Sequence, residues 1–233
     1  MVFIKRVMAM ITKYVKELGF DVSEMNCNRY GDPDFKLMKQ LGATFVIVRS
    51  SFGKTYGQAD SKFIEYVARA KDVGLLVGAY HYSYALSPSD AIFEAESCMD
   101  IIERSGYQID LPIWFDMEDA DGYKSRHGFC FSRRYITDIC KAWLDNFKYH
   151  SGVYASLSWF DSYIEWKRLG CSVWNARFLS NRIVDRIVST GDLNLLDGED
   201  DIGGYMFQFT DSYPLGNHIV DANIRYVPIT VDE

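Results

Sequence analysis

Short apolar runs alternate along the chain with longer segments in which apolar residues recur every three or four positions. Runs bounded by polar residues or glycine are typical of strands, and the longer repeat is typical of helices. The runs predict up to eight strands, at 19–23, 44–49, 75–84, 111–119, 152–156, 173–176, 205–210 and 219–223. The helical spacing predicts helices at 60–71, 87–104 and 131–149, between the earlier strands.

This alternation predicts parallel strand pairing in an α/β barrel or a doubly wound sheet. The helical signal weakens in the last third, where residues 178–203 are interpreted as a surface insertion that could border a cleft. Residues 7–18 carry apolar side chains at 7, 11, 14, 15 and 18, which predicts an amphipathic helix packed on the barrel or, alternatively, a membrane role. We therefore predict a helical extension at 1–18 and a single barrel domain at 19–233.

The apolar run Leu111–Asp119 contains two acids, Asp116 and Glu118, two positions apart. Residues two apart on a strand point to the same face, roughly 6–7 Å from each other. Buried carboxylates are costly unless they are paired or hydrogen-bonded, and carboxylate pairs with different pKa values cleave glycosidic bonds. The alternative is a strand end whose acids simply point into solvent.

Two further acids, Asp21 and Asp221, also fall at or near the ends of predicted strands. In parallel barrels the chemistry lies at the C-terminal ends of the strands, so the four acids are expected to converge there. This convergence favours a catalytic cleft over an exposed strand edge, although Asp21 could instead cap the loop after its strand.

Composition excludes several classes of function. The net charge of −7 argues against nucleic acid or an anionic membrane surface as the main partner. No apolar run reaches the ~18 residues of a membrane span. Five scattered cysteines without a C-x-x-C pair indicate free thiols, and four histidines without metal spacing predict neither a zinc site nor another cofactor. The N-terminus lacks a signal-peptide pattern, so synthesis in the cytoplasm is expected.

A series of short motifs runs in order from about Gly19 to Asn223. They read GFDVS at 19–23, FVIVR at 45–49, GL at 74–75, GAYHY at 78–82, EAE at 94–96, DME at 116–118, GVY at 152–154, WNA at 174–176, FQF at 207–209 and VDAN at 220–223. In order and spacing this series resembles glycoside hydrolase family 25. These lysozymes cut the β-1,4 bond between N-acetylmuramic acid and N-acetylglucosamine in peptidoglycan, and many are phage endolysins.

The resemblance implies a TIM-like barrel of five β/α units followed by three strands with few regular helices. It implies that Glu118 is the general acid and that Asp116 stays ionised, as a charged stabiliser or to orient the substrate's N-acetyl group. Asp21 and Asp221 would position water or substrate. Tyr80 and Trp174 would line the sugar groove, with Tyr154 and Gln208 as further candidates. The implied partner is the glycan strands of bacterial peptidoglycan, met after release or export; protein partners are unknown.

Several interpretations remain open on the sequence. Tyr80 and Trp174 could be plain core aromatics. His81 is interpreted as a hydrogen-bonded barrel histidine rather than a base. Arg49, a candidate for substrate binding, is expected to pair with one of the cleft acids and hold it ionised.

The sequence also departs from the family pattern in ways that affect the sugar subsites. Residues 24–28 replace the usual Gln-Gly or Asn-Gly, and Phe207-Gln208-Phe209 replaces Trp-Gln-Tyr, which would remove an indole donor and a phenol hydroxyl. The alternative function is a non-catalytic glycan-binding barrel derived from such a hydrolase. A hydrolase of chitin-like glycans is a third option, but the D-x-x-D-x-D-x-E signature of chitinases is absent.

Overall fold

The predicted strands close into an eight-stranded barrel. The computed structural model describes residues 11–55 and 57–231, and the strands follow one another around the barrel in sequence order. They are β1 (Ile11–Val22), β2 (Phe45–Phe52), β3 (Leu76–Tyr82), β4 (Ile113–Asp116), β5 (Ser151–Ser156), β6 (Ser172–Ala176), β7 (Met206–Leu215) and β8 (His218–Val231).

The direction of the last strand differs from the expected parallel pairing. Strands β1 to β7 pair in parallel, whereas β8 is antiparallel to both of its neighbours, β7 and β1. The reason is the connection between β7 and β8, which is only Gly216 and Asn217. A two-residue connection forces the chain to reverse, and Gly216 makes the turn with a φ of +60°.

The helix predicted at 7–18 is wrong for the residues that the structure describes. Residues 11–18 form the first part of β1 and pair with β8, from Ile11 opposite Val231 to Leu18 opposite Ile224; positions 7–10 lie outside the described residues. Tyr14 and Val15 are exposed, so they do not form the buried face of a helix. The long β8 offers backbone partners to every residue of this segment, and this pairing outweighs the local helical spacing.

Helices fill most connections outside the barrel. They are α1 (Phe35–Gln40), α2 (Phe63–Asp72), α3 (Pro88–Ser105), α4 (Tyr123–Arg126), α5 (Arg133–Asn146), α6 (Leu157–Ser162), α7 (Trp166–Leu169) and α8 (Asn181–Thr190), with short 3-10 helices at Glu24–Asn26 and Leu193–Leu196. None of the described helices is long and apolar enough to cross a lipid bilayer.

Two connections differ from the sequence interpretation. Residues 178–203, interpreted as a surface insertion, contain the regular helix α8, whose Val184 and Ile187 are buried. Apart from α8, the connections between β6, β7 and β8 contain only a short 3-10 helix, so few regular helices follow the first five β/α units, as the resemblance implies. The helix predicted at 60–71 begins at Phe63, and Asp60 before it accepts hydrogen bonds from the Lys62 amide and Arg49.

The alternation of side chains along β4 decides which of them face the barrel interior. Ile113 and Phe115 point outward into the core shared with the helices, where Phe115 stacks on Trp143 with 4.6 Å between ring centroids. Trp114 points inward and packs with Phe45, Trp174 and other interior residues. Asp116, two positions after Trp114, therefore lies on the interior side, at the C-terminal end of the strand.

Candidate active site

A polar cavity of about 220 Å³ lies at the C-terminal ends of the strands. It brings together the four acids and all five residues predicted to bind substrate. Its lining residues are Asp21, Ser23, Met25, Arg49, Tyr80, Tyr82, Asp116, Glu118, Tyr154, Trp174, Gln208 and Asp221. All eight strands therefore contribute side chains to the cavity.

Asp21 and Asp221 face each other across the β1–β8 pair. The side-chain amide of Gln208 donates to both, at 2.9 Å to Asp21 Oδ2 and 3.0 Å to Asp221 Oδ2. Asn223 Nδ2 also donates to Asp21 Oδ2, at 2.7 Å. Two amides thus hold the pair of carboxyl groups in place.

The orientation of both amides is fixed by aromatic side chains below the acids. Tyr154 donates its hydroxyl to Gln208 Oε1 at 2.8 Å, and Trp174 Nε1 donates to Asn223 Oδ1 at 2.9 Å. Because each amide oxygen is occupied by a donor, each NH₂ group is directed at the carboxylates. Trp174 is only 2% exposed, so its main contact in the site is this hydrogen bond rather than a free ring face.

The second pair of acids is Asp116 and Glu118. Asp116 ends β4 and is 4% exposed, and its Oδ1 has no hydrogen-bond partner among the residues that the structure describes. Glu118 lies two residues beyond the end of the strand and is only partly buried. Of the two, Glu118 is the more accessible from the cavity.

Burial raises the pKa of all four carboxyl groups. It raises the pKa of Glu118 to about 7 and that of Asp221 to about 9, the latter with a contribution from nearby Asp21. Burial also raises the pKa of Asp21 to about 6, against the opposing hydrogen bonds from Asn223 and Gln208. For Asp116, burial and the neighbouring Glu118 carboxylate raise the pKa well above its usual range. At neutral pH the cavity therefore retains protons that exposed carboxylates would have lost.

The raised pKa values predict a pH dependence of stability. Because these carboxyl pKa values are raised on folding, the folded protein binds more protons than the unfolded chain. The contribution of the four groups to stability is therefore fully present below about pH 4 and is lost as the pH rises towards 9. We expect Asp221→Asn, which cannot ionise, to raise the melting temperature at pH 8 by about 3 °C and to leave it nearly unchanged at pH 4. Differential scanning fluorimetry at the two pH values measures this difference, and an equal change at both would contradict it.

The sequence analysis expected Arg49 to pair with a cleft acid, and the structure contradicts this expectation. Its Nε binds Asp60 Oδ2 at 2.7 Å, and its terminal nitrogen binds Glu24 Oε1 at 3.1 Å. Asp60 is held beside β2 by its backbone bond to Ser50, so a buried carboxylate lies nearer to Arg49 than the cleft acids do. Arg49 still lines the cavity, and its charge lowers the pKa of Asp116, against the larger effect of burial.

His81 is a hydrogen-bonded barrel histidine, as expected. It is fully buried, its Nδ1 lies 2.8 Å from Ser51 Oγ, and its ring stacks on Trp143 of α5. Its place on β3 between Tyr80 and Tyr82, both of which line the cavity, puts it on the outer face of the barrel.

The unusual Phe207 and Phe209 do not alter the cavity. Both are fully buried in the core outside the barrel, and only Gln208 between them points inward. The expected loss of an indole donor and a phenol hydroxyl therefore falls outside the lining of the cavity. The strand alternation was sufficient to predict this, because residues 207 and 209 share the face opposite Gln208.

Five residues of the site were not predicted from the sequence: the lining residues Ser23, Met25 and Tyr82, together with Asn223 and Lys124. Asn223 had a usable signal, because it stands two positions from Asp221 and so shares its strand face. Tyr82 had the same relation to Tyr80. Lys124, a buried lysine whose Nζ donates to the Glu118 carbonyl oxygen at 2.7 Å, had no such signal.

Comparison with known proteins agrees with this fold. Over 88 residues, 38% of this chain, the sequence is 34% identical to an autolytic lysozyme of Clostridium acetobutylicum, and the match spans 25% of that relative's length. The modular autolysin LytC of Streptococcus pneumoniae, solved with a synthetic peptidoglycan ligand, superposes with a TM-score of 0.69 at 19% identity, covering 91% of this chain and 47% of LytC.

A second solved structure is similar over nearly its whole length. The family 25 lysozyme of Aspergillus fumigatus superposes with a TM-score of 0.62 at 19% identity, covering 92% of this chain and 96% of that protein. The sequence profile described as "Glycosyl hydrolases family 25" matches residues 20–218, which include three of the four cleft acids; Asp221 lies just beyond the match. By this match over most of its length, the chain belongs to glycosyl hydrolase family 25.

Proposed function

We propose that this protein is a muramidase that hydrolyses the β-1,4 bond between N-acetylmuramic acid and N-acetylglucosamine in bacterial peptidoglycan. The observation that carries the proposal is a cavity in which burial raises the pKa of two adjacent pairs of carboxyl groups, at the strand ends where barrel enzymes perform chemistry. Family membership and the peptidoglycan ligand of the similar LytC structure support the choice of substrate.

Glu118 is the general acid in this proposal. Its pKa of about 7, raised by burial, keeps much of it protonated at neutral pH. It is also the more accessible member of its pair, so its proton can reach the leaving glycosidic oxygen. A general acid works best when its pKa lies near the working pH, and Glu118 meets this condition.

Asp116 stabilises the positive charge that develops on the sugar. The resemblance implies an ionised Asp116, but in the free protein burial favours its neutral form. In the proposed step Asp116 gives its proton to water as positive charge develops beside it, and the resulting carboxylate stabilises that charge. Asp116 lines the cavity, and its buried Oδ1 has no hydrogen-bond partner among residues 11–55 and 57–231, so no neighbouring donor engages that oxygen. The same carboxylate could orient the N-acetyl group of the substrate for attack on the anomeric carbon.

Asp21 and Asp221 bind water or the sugar on the opposite side of the cavity. Their shared amide donor, Gln208, keeps the two carboxyl groups close, and the raised pKa of Asp221 provides a hydroxyl donor at neutral pH. Asp21, with the lower pKa of about 6, is mainly the acceptor.

The competing function is a barrel that binds glycans without cutting them. The altered Phe207 and Phe209 were the sequence feature that favoured it, and both lie away from the cavity. A reducing-end assay on purified peptidoglycan separates the two functions. We expect new reducing ends to accumulate with time, whereas saturable binding without new reducing ends would support the glycan-binding barrel.

A further inference from the structure

Lys124 is a buried cation that the proposed chemistry does not use. It lies on the short helix α4 after β4 and is 1% exposed. Its Nζ donates to the main-chain oxygen of Ser83 and, at 2.7 Å, to that of Glu118. Ser83 directly follows β3, and Glu118 follows β4, so one ammonium group joins the ends of two neighbouring strands.

This link lies just beyond the ends of β3 and β4, where strand pairing no longer fixes the main chain. The β3–β4 ladder ends with Tyr82 opposite Asp116, and Ser83 N donates to Asp116 O at 3.0 Å. Met117 N still bonds to Tyr154 O on β5, but Glu118 is already beyond the ladder. The Lys124 ammonium therefore holds the carbonyl group of the residue proposed as general acid.

Both ends of the link are themselves anchored. Asp119 accepts hydrogen bonds from the amides of Lys124 at 2.6 Å and Ser125 at 3.0 Å, which folds α4 back beneath Glu118. On the other side, Ser83 Oγ donates to the buried Glu94 at 2.7 Å. The lysine is thus held in place by groups from β3, α3 and the loop after β4.

Four acidic side chains act on the Lys124 ammonium group from the elements around it. Glu94 faces it from α3, Asp116 from β4, and Glu118 and Asp119 from the loop. The ring of Tyr82 from β3 lies 6.0 Å away, and the charge of Lys124 also acts on the Cys140 thiol of α5. Burial lowers the pKa of Lys124, and these four carboxylates oppose that effect.

We propose that Lys124 is a positioning residue for the two acids: its ammonium fixes the main chain that carries Glu118 and supplies the positive charge beside which Asp116 and Glu118 ionise. This inference rests on the role proposed above for Glu118. The direction of the effect follows from the charges, because Lys124 lowers the pKa of Glu118 against the larger effect of burial. Without that charge, Glu118 would lose its proton at a higher pH.

The test compares Lys124→Met and Lys124→Arg with the wild type. Two quantities are measured: the pH profile of kcat/KM on peptidoglycan, and the pKa of Glu118 by NMR titration of ¹³C-labelled glutamate. We expect Lys124→Met to lose roughly tenfold to a hundredfold in activity at its optimum. We also expect its alkaline limb and the Glu118 pKa to rise by about one unit. Lys124→Arg, which keeps the charge, is expected to restore the limb to its wild-type position.

Lys141→Met is the matched control, because Lys141 is 60% exposed and pairs only with Asp145 on the same helix in the described part of the chain. It should change neither quantity.

A folded Lys124→Met variant in which neither the alkaline limb of the kcat/KM profile nor the Glu118 pKa moves overturns the inference. If Lys124→Met does not fold, Lys124→Arg decides the question by the same titration, and a shifted Glu118 pKa in that variant contradicts the inference. The NMR titration needs no substrate, so it separates a failure here from a failure of the muramidase proposal.

Discussion

Replacing Glu118 by Gln is expected to lower the rate of peptidoglycan cleavage by roughly a thousandfold while leaving the fold intact. Gln has nearly the same shape but no proton to give to the leaving oxygen. The partly buried position of Glu118, outside the strand ladder, predicts little change in stability. Initial rates of reducing-end release measure the loss, and circular dichroism with a melting curve measures the fold.

The matched control for this variant is Glu96→Gln. Glu96 is an exposed glutamate on α3, outside the lining of the cavity, so its replacement should leave the rate unchanged. The wild-type rate should also fall with rising pH around pH 7, as Glu118 loses its proton. A Glu118→Gln variant that retains wild-type activity would exclude Glu118 as the acid.

Replacing Asp116 by Asn is expected to lower activity by roughly a hundredfold and to raise stability at pH 8. The activity falls because the carboxylate that stabilises the developing positive charge is removed, a loss of about 2.7 kcal/mol, similar to the smaller losses seen when one oxyanion-hole donor is removed. The stability rises because the folded protein no longer holds a buried carboxyl group whose ionisation burial opposes. Opposite changes in activity and stability are typical of a residue kept for function.

Rates of reducing-end release and melting curves at pH 4 and pH 8 test this prediction. The gain in melting temperature should be largest at the higher pH, because at pH 4 Asp116 is protonated in the folded protein and about half protonated in the unfolded chain, so the two states differ little in bound protons. A purely structural Asp116 would give the opposite result, in which Asn lowers the melting temperature and the loss of activity follows from unfolding.

The convergence of Asp21, Asp116 and Glu118 was predictable because strand periodicity and parallel order carry the information, whereas Asp221 reaches the same end on β8, which runs against the expected direction. The alternation along β4 places Asp116 on the interior face, and the parallel order of the strands puts Asp21 at the same end of the barrel. The same alternation, applied to β7, places Gln208 inside and its two phenylalanine neighbours outside. These inferences need no long-range contact to be known in advance.

Three of the features that the sequence did not predict depend on a distant partner. Residues 11–18 show helical spacing, yet they extend a strand because β8 lies beside them. Arg49 binds Asp60, and only the chain path beyond β2 brings that carboxylate close. Lys124 stands in a charged segment typical of an exposed loop, yet it is buried where the main-chain oxygen of Ser83, 41 positions earlier, accepts a hydrogen bond from its ammonium group. Local patterns do not encode such pairings.

The most direct test of the central claim is the identity of the sugar at the new reducing end. Peptidoglycan is digested with the protein, the products are reduced with borohydride, and mass spectrometry identifies the reduced residue, with Glu118→Gln as the inactive control. The muramidase proposal predicts reduced N-acetylmuramic acid in the wild-type digest and none above background with Glu118→Gln. Reduced N-acetylglucosamine, or no reduced sugar at all from the wild type, would contradict it.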